Sequence, residues 1–437
     1  MRSSVSEALA ESVQGDLLPE PNLDLSYAVR NRRAHLRVRL GDQEGAATRV
    51  HHVGSSDPFL SWWRSFLVSK RVQDSVEHKP VRILDLFSSV GGLTLGVSEA
   101  LRAMGRRVEV IAGADVDEDA LASFQVNHAA HLIIHDSVSD LVDMRVAGRG
   151  TAATFAYTPE PLKALANLTN APDMIVAGPP CQGHSTLNNH TRGDDPKNRL
   201  YLTVPALAVA LNVPVVIIEN VPNVVNDKQG VVSSAHQLLR SAGYHVTSAT
   251  LAADKLGWPQ TRKRYFMVAT KDAYPIEMPW IKARLARTAA PVEWAIGDLE
   301  DAIVPGDVML GQPELSPENR ERIDYLFQSG EHNLPLEIRP ECHRDGTTYN
   351  AVYGRMIPGA PAPTITTGFV TPGRGRFIHP TRPRVLTPRE AARIQGFPDW
   401  FEFISATGGQ PSRAMVAKWI GDAVPSILGF TAAMATT

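Results

Sequence analysis

The chain has 437 residues, 43% of them apolar, with a formal net charge of −2 and two cysteines. That length and apolar share suit a soluble globular protein of two or three domains with a sizeable core, and the charge excludes a globally basic nucleic-acid binder while leaving room for a local basic cleft. Cys181 and Cys342 lie far apart in sequence, which argues against a disulfide framework or a cysteine metal site and suits a reducing compartment. No run approaches the roughly 18 apolar residues of a membrane span. The start, "MRSSVSEALAESVQGD", is too acidic and too weakly apolar for a signal peptide, so a cytoplasmic protein with no membrane or metal partner is expected.

In chain order, residues 1–79 differ in character from the rest of the chain. "AVRNRRAHLRVRLGDQ" carries Arg30, Arg32, Arg33, Arg37 and Arg39, its latter part alternating as a strand does, and "DPFLSWWRSFL" reads as a short amphipathic helix. Two roles stay open for this segment: an ancillary subdomain packed on the main body through Trp62 or Trp63, or a set of arginines that touch nucleic-acid phosphates. From residue 80, strands alternate with helices, the pattern of a layered α/β domain with a largely parallel sheet. "VRILDLF" is a buried strand and "GGLTLGVSEALRAMG" a helix closed by Gly105. "RVEVIAGADV" is the second strand, with a helix through "EDALASFQVNH". "HLIIHD", "DMIVAG" and "VPVVIIEN" are the third to fifth strands, then a helix through "SAHQLLRSAG" leads to strands "YHVTSATL" and "RYFMVAT".

The unusual residues fall at the strand ends, where nucleotide-like ligands sit in such sheets. The first strand ends in "DLFSSVGGLTLG", whose Gly91 and Gly92 allow close backbone approach. Asp115, at the end of the second, suits the two hydroxyls of a ribose, and Asp136, at the end of the third, an adenine amino group. Singly, each carboxylate could be a helix cap or a solvated loop residue; together along one edge they point to an adenosine ligand. The turn lacks the G-x-G-x-x-G spacing of a pyrophosphate cradle, which favours S-adenosylmethionine over a dinucleotide. Cys181 then opens the loop after the fourth strand on the same edge. Its surroundings, "GPP" before and "QGHSTLNNHTRGDDPKNR" after, are turn and polar loop rather than core, so a nucleophile fits better than an inert buried thiol.

From about residue 81 to the C-terminus the chain resembles the DNA (cytosine-5)-methyltransferase family. "DLFSSVGG", "GPPCQGHS", "IIENVPN", "PQTRKRYFMVA", "LTPREAARIQGFPDWF" and "WIGDAVP" follow one another in that family's order. The resemblance implies a Rossmann-like S-adenosylmethionine-dependent methyltransferase fold, α/β with a mostly parallel sheet, plus a small target-recognition domain and an N-terminal extension. It implies that the Cys181 thiolate adds to carbon 6 of a cytosine flipped out of double-stranded DNA. Glu219 holds ring nitrogen 3 and the amino group, and Arg264 the carbonyl oxygen, with Arg262 and Gln260 in support. Phe87, Gly91, Gly92, Asp115, Val116, Asp136, Pro180 and Asp422 are implied to hold S-adenosylmethionine and its product S-adenosylhomocysteine; Gln182 and Ser185 belong to the loop that closes on DNA.

Three positions depart from the family's pattern: Ser89 stands where the turn usually has glycine, Val116 where a larger adenine-stacking side chain is common, and Asp422 where asparagine is usual. The expected organisation is an N-terminal extension of residues 1–79, a catalytic domain of 80–271, a target-recognition region of 272–385, and a C-terminal segment of 386–437 that completes the catalytic domain. Other subunits of a restriction or phage-defence system are a further expected partner class. A tRNA-methylating relative of the same fold, or a catalytically silent DNA-binding or assembly subunit, remain the alternatives.

Overall fold

The computed structural model describes residues 23–50, 56–71, 79–168, 170–180, 200–344 and 351–436. The first unit is an antiparallel meander of β1 (Leu23–Arg30), β2 (Arg33–Leu40) and β3 (Gln43–Val50). Strand alternation divides it: Ala34, Leu36 and Val38 are buried on one face of β2, while Arg33, Arg37 and Arg39 stand exposed on the other. α1 (Pro58–Val68) is capped by Asp57, which accepts from the N–H groups of Phe59 at 2.7 Å and Leu60 at 3.4 Å. This helix lies between the meander and the rest of the chain, so Trp62 and Trp63 are both fully buried. Trp63 meets Trp258 and Phe430 edge-on, with centroids 5.4 and 5.2 Å apart. Trp62 lies beneath the Arg49 guanidinium, which forms a buried ion pair with Glu99 at 2.7 Å.

The main sheet comprises β4 (Pro80–Leu86), β5 (Arg107–Asp115), β6 (Leu132–His135), β7 (Met174–Ala177), β8 (Val215–Asn220), β9 (His245–Ala252) and β10 (Lys263–Thr270). Their order is β9-β10-β8-β7-β4-β5-β6. The five strands from β8 to β6 are parallel; β10 runs against both β8 and β9. The connections explain this. Crossovers between parallel neighbours pass through α2 (Gly92–Ala103), α3 (Glu118–His128) and α4 (Thr203–Ala210), and α5 (Val231–Ser241) leads into β9, whereas β9 returns directly into β10 and must pair antiparallel.

From β4 the chain winds outward to β5 and β6, then crosses back to β7 on the other side of β4. That reversal opens a crevice at the carboxyl ends of β4 and β7, where the Gly178 N–H donates to the Leu86 carbonyl at 3.3 Å.

After the sheet come α6 (Met278–Arg284), α7 (Val292–Ile296), α8 (Pro317–Gln328), α9 (Pro388–Ile394), α10 (Arg413–Asp422) and α11 (Ser426–Ala433). The main apolar core joins α2, α3, α6, α7 and α9–α11 with the buried sides of α1 and the meander; α4 and α5 cover the opposite face of the sheet. A small satellite core gathers Ile323, Leu326, Leu334, Val352, Ile378 and Val385. α11 closes the fold against α2, and the crossing is tight: a methyl on Gly96 would lie 2.2 Å from the Ser426 carbonyl oxygen.

Candidate active site

The carboxyl ends of β4 and β5 are organised by backbone conformation. Phe87, Ser89 and Gly91 all take left-handed φ values, +56°, +47° and +88°, so the turn contains two strained non-glycine residues. Asp115 holds it in shape. One carboxylate oxygen accepts from the Ser89 N–H at 2.8 Å, the other from the Asp117 N–H at 3.0 Å, and Asp117 caps α3 through the Ala120 N–H at 3.1 Å. Each oxygen keeps further accepting capacity. Gly91 is sterically required, because a methyl there would run into the buried Nε2 of His128; at Gly92 it would press on Ala423 and Phe397. Beneath the turn, the Thr94 hydroxyl donates to Asp85 at 2.6 Å, and burial pushes the Asp85 carboxyl up to about 8 against that bond, with Asp115 adding to the rise. Asp136 is exposed, one oxygen accepting from the Ser137 N–H.

The other half of the edge is built from buried side chains. Glu219, the penultimate residue of β8, is only 7% exposed and ion-pairs with Arg264 of β10 at 2.7 Å. Burial raises its carboxyl above the usual range, with Arg264 and then Arg262 pulling the other way. The next residue, Asn220, donates from Nδ2 to the Pro179 carbonyl at 3.2 Å. This bond ties the end of β8 to the "GPP" turn, whose Pro180 is the last described residue before Cys181. Cys181, Gln182 and Ser185 lie outside the described residues.

Arg262 and Gln260 stand behind that pair. Arg262 is 2% exposed and donates to the carbonyls of Ile365 at 2.7 Å and Asp422 at 3.2 Å. Gln260 is fully buried: its amide donates to the Ile394 carbonyl and to Gln395, and its oxygen accepts from the Ile365 N–H. These two residues knit the loop between β9 and β10 to the segments around Ile365, α9 and α10. Asp422 is not an isolated carboxylate. Lys418, one turn earlier on α10, sits 3.7 Å from it and 3.2 Å from Asp117, and the Trp419 indole N–H also donates to Asp117.

Sequence reasoning missed Asn220, Lys418 and Asp85. Asn220 lies within "IIENVPN" and Asp85 opens "DLFSSVGG", and Lys418 carried the i,i+4 spacing to Asp422.

Comparison with known proteins decides the family. The profile of C-5 cytosine-specific DNA methylases matches residues 81–434. The type II methyltransferase M1.BsuMI of Bacillus subtilis strain 168 is 38% identical over 376 residues, covering 86% of this chain and 84% of that protein. The type II methylase M.HgiDII of Herpetosiphon aurantiacus is 31% identical over 353 residues, covering 79% and 92%.

The chain belongs to the C-5 cytosine-specific DNA methylase family.

Its activity is that of a DNA (cytosine-5)-methyltransferase, and the family is generally S-adenosylmethionine-dependent. The fold agrees: the crystal structure of the S. pombe Dnmt2 methyltransferase superposes with a TM-score of 0.53 at 14% identity, covering 82% of this chain and 98% of that one. The Entamoeba histolytica methyltransferase EhMeth gives 0.51 at 14%, covering 81% and 97%. Among the described residues there is no cluster of His, Cys, Asp or Glu that could hold a metal, and no helix is long and apolar enough to cross a membrane.

Proposed function

We propose that this DNA cytosine-5 methyltransferase works through a covalent adduct between Cys181 and a cytosine flipped out of double-stranded DNA. The observation that carries the proposal is the joining of two motif ends at one point: Asn220 grips the Pro179 carbonyl at 3.2 Å, while the neighbouring Glu219 pairs with Arg264 at 2.7 Å. The turn that leads into Cys181 is thereby anchored beside a buried acid and its guanidinium.

In this reading the Cys181 thiolate adds to carbon 6 of the ring, and the pair of electrons released into the ring is met by a proton at nitrogen 3. Glu219 holds that proton, a task favoured by the burial that raises its carboxyl. Arg264 donates to the ring's carbonyl oxygen and keeps Glu219 in place. Arg262 and Gln260 position this pair from behind. Departure of the carbon-5 proton then expels the cysteine.

S-adenosylmethionine, when bound, supplies the methyl group. The β4–β5 edge fits it: Ser88 Oγ is buried with no hydrogen-bond partner among the described residues, and Val116 leaves an apolar side chain 68% exposed at the strand end. Phe87, Gly91, Gly92, Asp115, Val116, Asp136, Pro180 and Asp422 would line this site, with Asp115 suited to ribose hydroxyls. Gln182 and Ser185 would meet DNA from the loop after Cys181.

Residues 272–385, with their satellite core and irregular loops, would read the target. Residues 1–79 would form an extension, and 386–437 would complete the catalytic domain begun at residue 80. A cytoplasmic place in a restriction or defence system fits the type II relatives. Methylation-sensitive sequencing of DNA from cells expressing the protein tests this directly: 5-methylcytosine at a defined sequence is expected, lost in Cys181→Ser. A modified base of another kind would overturn it.

A further inference from the structure

The turn between β1 and β2 contains Asn31 and Arg32, both left-handed at φ +50° and +57°. Two-residue hairpin turns require this conformation and are normally built with Asn-Gly, because glycine alone adopts the second position without strain. Here an arginine occupies it. Arg30 and Arg33 pair across the base of the same turn, so three exposed arginines crowd one hairpin tip.

Charge is distributed unevenly along this meander. At the far end Glu44 pairs with Arg37 at 3.1 Å and reaches Arg39 at 4.0 Å, Asp24 pairs with Arg284 at 3.1 Å, and Asp42 is in the neighbouring turn. At the tip, Arg30, Arg32 and Arg33 make no ion pair with any carboxylate among the described residues. A chain of net charge −2 thus keeps an uncompensated basic point on a strained turn.

β1 runs alongside the end of α6 and the segment after it: Asp24 meets Arg284, and Tyr27 lies under Arg287 with 5.4 Å from guanidinium to ring centre. Further along that segment the Ala290 N–H donates to the Gly257 carbonyl, in the loop that carries Gln260 and Arg262. Arg30, at the end of β1, lies three residues past Tyr27, about 10 Å farther along the strand, with Arg32 in the turn just beyond it. α1 fixes the unit in place, since Arg64 donates to the carbonyls of Trp294 and Ala295 and pairs with Asp298 at 2.6 Å.

We propose that the β1–β2 hairpin tip is a second DNA contact, an arginine clamp on backbone phosphates of the duplex flanking the target site. Guanidinium groups suit phosphate by their bidentate geometry, and such contacts need no particular sequence. The inference rests on the DNA substrate, and its test does not require the target sequence.

Full-length protein is titrated with random-sequence duplexes of about 15 and about 45 base pairs over a range of salt. Each lost phosphate contact should flatten the dependence of log K on log salt by about one. Arg32→Gly should bind the long duplex roughly three- to tenfold more weakly with a slope shallower by about one, yet melt at a higher temperature because the turn is relieved. Arg30→Ala/Arg33→Ala should weaken long-duplex binding further, with short-duplex binding unchanged. A merely structural tip would move the melting temperature and leave the salt slope alone. Equal losses on both duplexes, an unchanged slope, or wild-type protein with no preference for the longer duplex would overturn the proposal, whereas failure to methylate DNA at all would instead break the functional reading.

Discussion

Of the two halves of the strand-end edge, the one formed by β4, β5 and β6 keeps Asp115 and Asp136 accessible and supported by backbone N–H groups, whereas the one formed by β8 and β10 buries Glu219 against Arg264. Asp115 accepts from Ser89 and Asp117, and Asp136 from Ser137. Glu219 answers to Arg264, and Arg262 to two backbone carbonyls. A group that leans on backbone in partial contact with water can be altered at the cost of what it binds. A group buried in a pair takes part of the fold with it.

The largest effects are expected at β10. Arg264→Ala removes the nearest counter-charge of buried Glu219 and should cost about 3–5 kcal/mol of stability, together with roughly 10²–10⁴ in methylation rate. Glu219→Gln, which removes the buried charge and keeps its volume, should lose comparable activity with a much smaller change in denaturant midpoint. Equal stability losses in both variants would mean that the pair is not electrostatically coupled.

A second test goes beneath the cofactor turn. The folded protein holds the Asp85 proton up to about pH 8, while an unfolded aspartate releases it near 4. The unfolded state therefore binds fewer protons across that window, and this group's contribution to stability is greatest below about pH 4, falls as pH rises, and levels off above about 8. The slope should approach, at most, about 1.4 kcal/mol per pH unit. Asp85→Asn, which can still accept from Thr94, should flatten it and raise the melting temperature at pH 8. Parallel wild-type and variant profiles would contradict the assignment.

On the accessible side, Asp115→Ala should weaken S-adenosylmethionine binding by about 1–3 kcal/mol in calorimetry, with little change in the Glu219 region. If its larger effect were on folding, the contrast between the halves would fail. The smallest expected effect is at Ser89, where the residue carries a left-handed φ of +47°. Ser89→Gly should raise stability by about 1 kcal/mol, read from chemical denaturation, and an unchanged midpoint would show that the turn stores no strain there.

The sheet was largely legible in the sequence because its strands are short apolar runs closed by polar turn residues, and α3 begins and ends where "EDALASFQVNH" does. The left-handed Phe87 and Ser89 were not, since nothing in those residue types announces positive φ; the turn is imposed by Asp115 from the neighbouring strand. The amphipathic reading of α1 made one tryptophan enough for anchoring. Both are buried because the meander covers the face that would otherwise meet water. Gln260 illustrates the same limit at the site: its motif is plain in sequence, but its complete burial depends on α9 and Ile365, which are more than a hundred residues away.

The proposed attack of Cys181 on carbon 6 of cytosine would leave a denaturation-stable complex when release is blocked. With fluorine at carbon 5, no proton can depart after methyl transfer, and the enzyme cannot be released. Protein incubated with S-adenosylmethionine and target DNA bearing 5-fluorocytosine should therefore form a covalent complex that survives denaturation, is absent without S-adenosylmethionine, and maps to Cys181. Cys181→Ser should lose nearly all of it, since a serine hydroxyl is far less ionised than a thiol near neutral pH. A link on Cys342, or methylation undiminished in Cys181→Ser, would rule out Cys181 as the nucleophile.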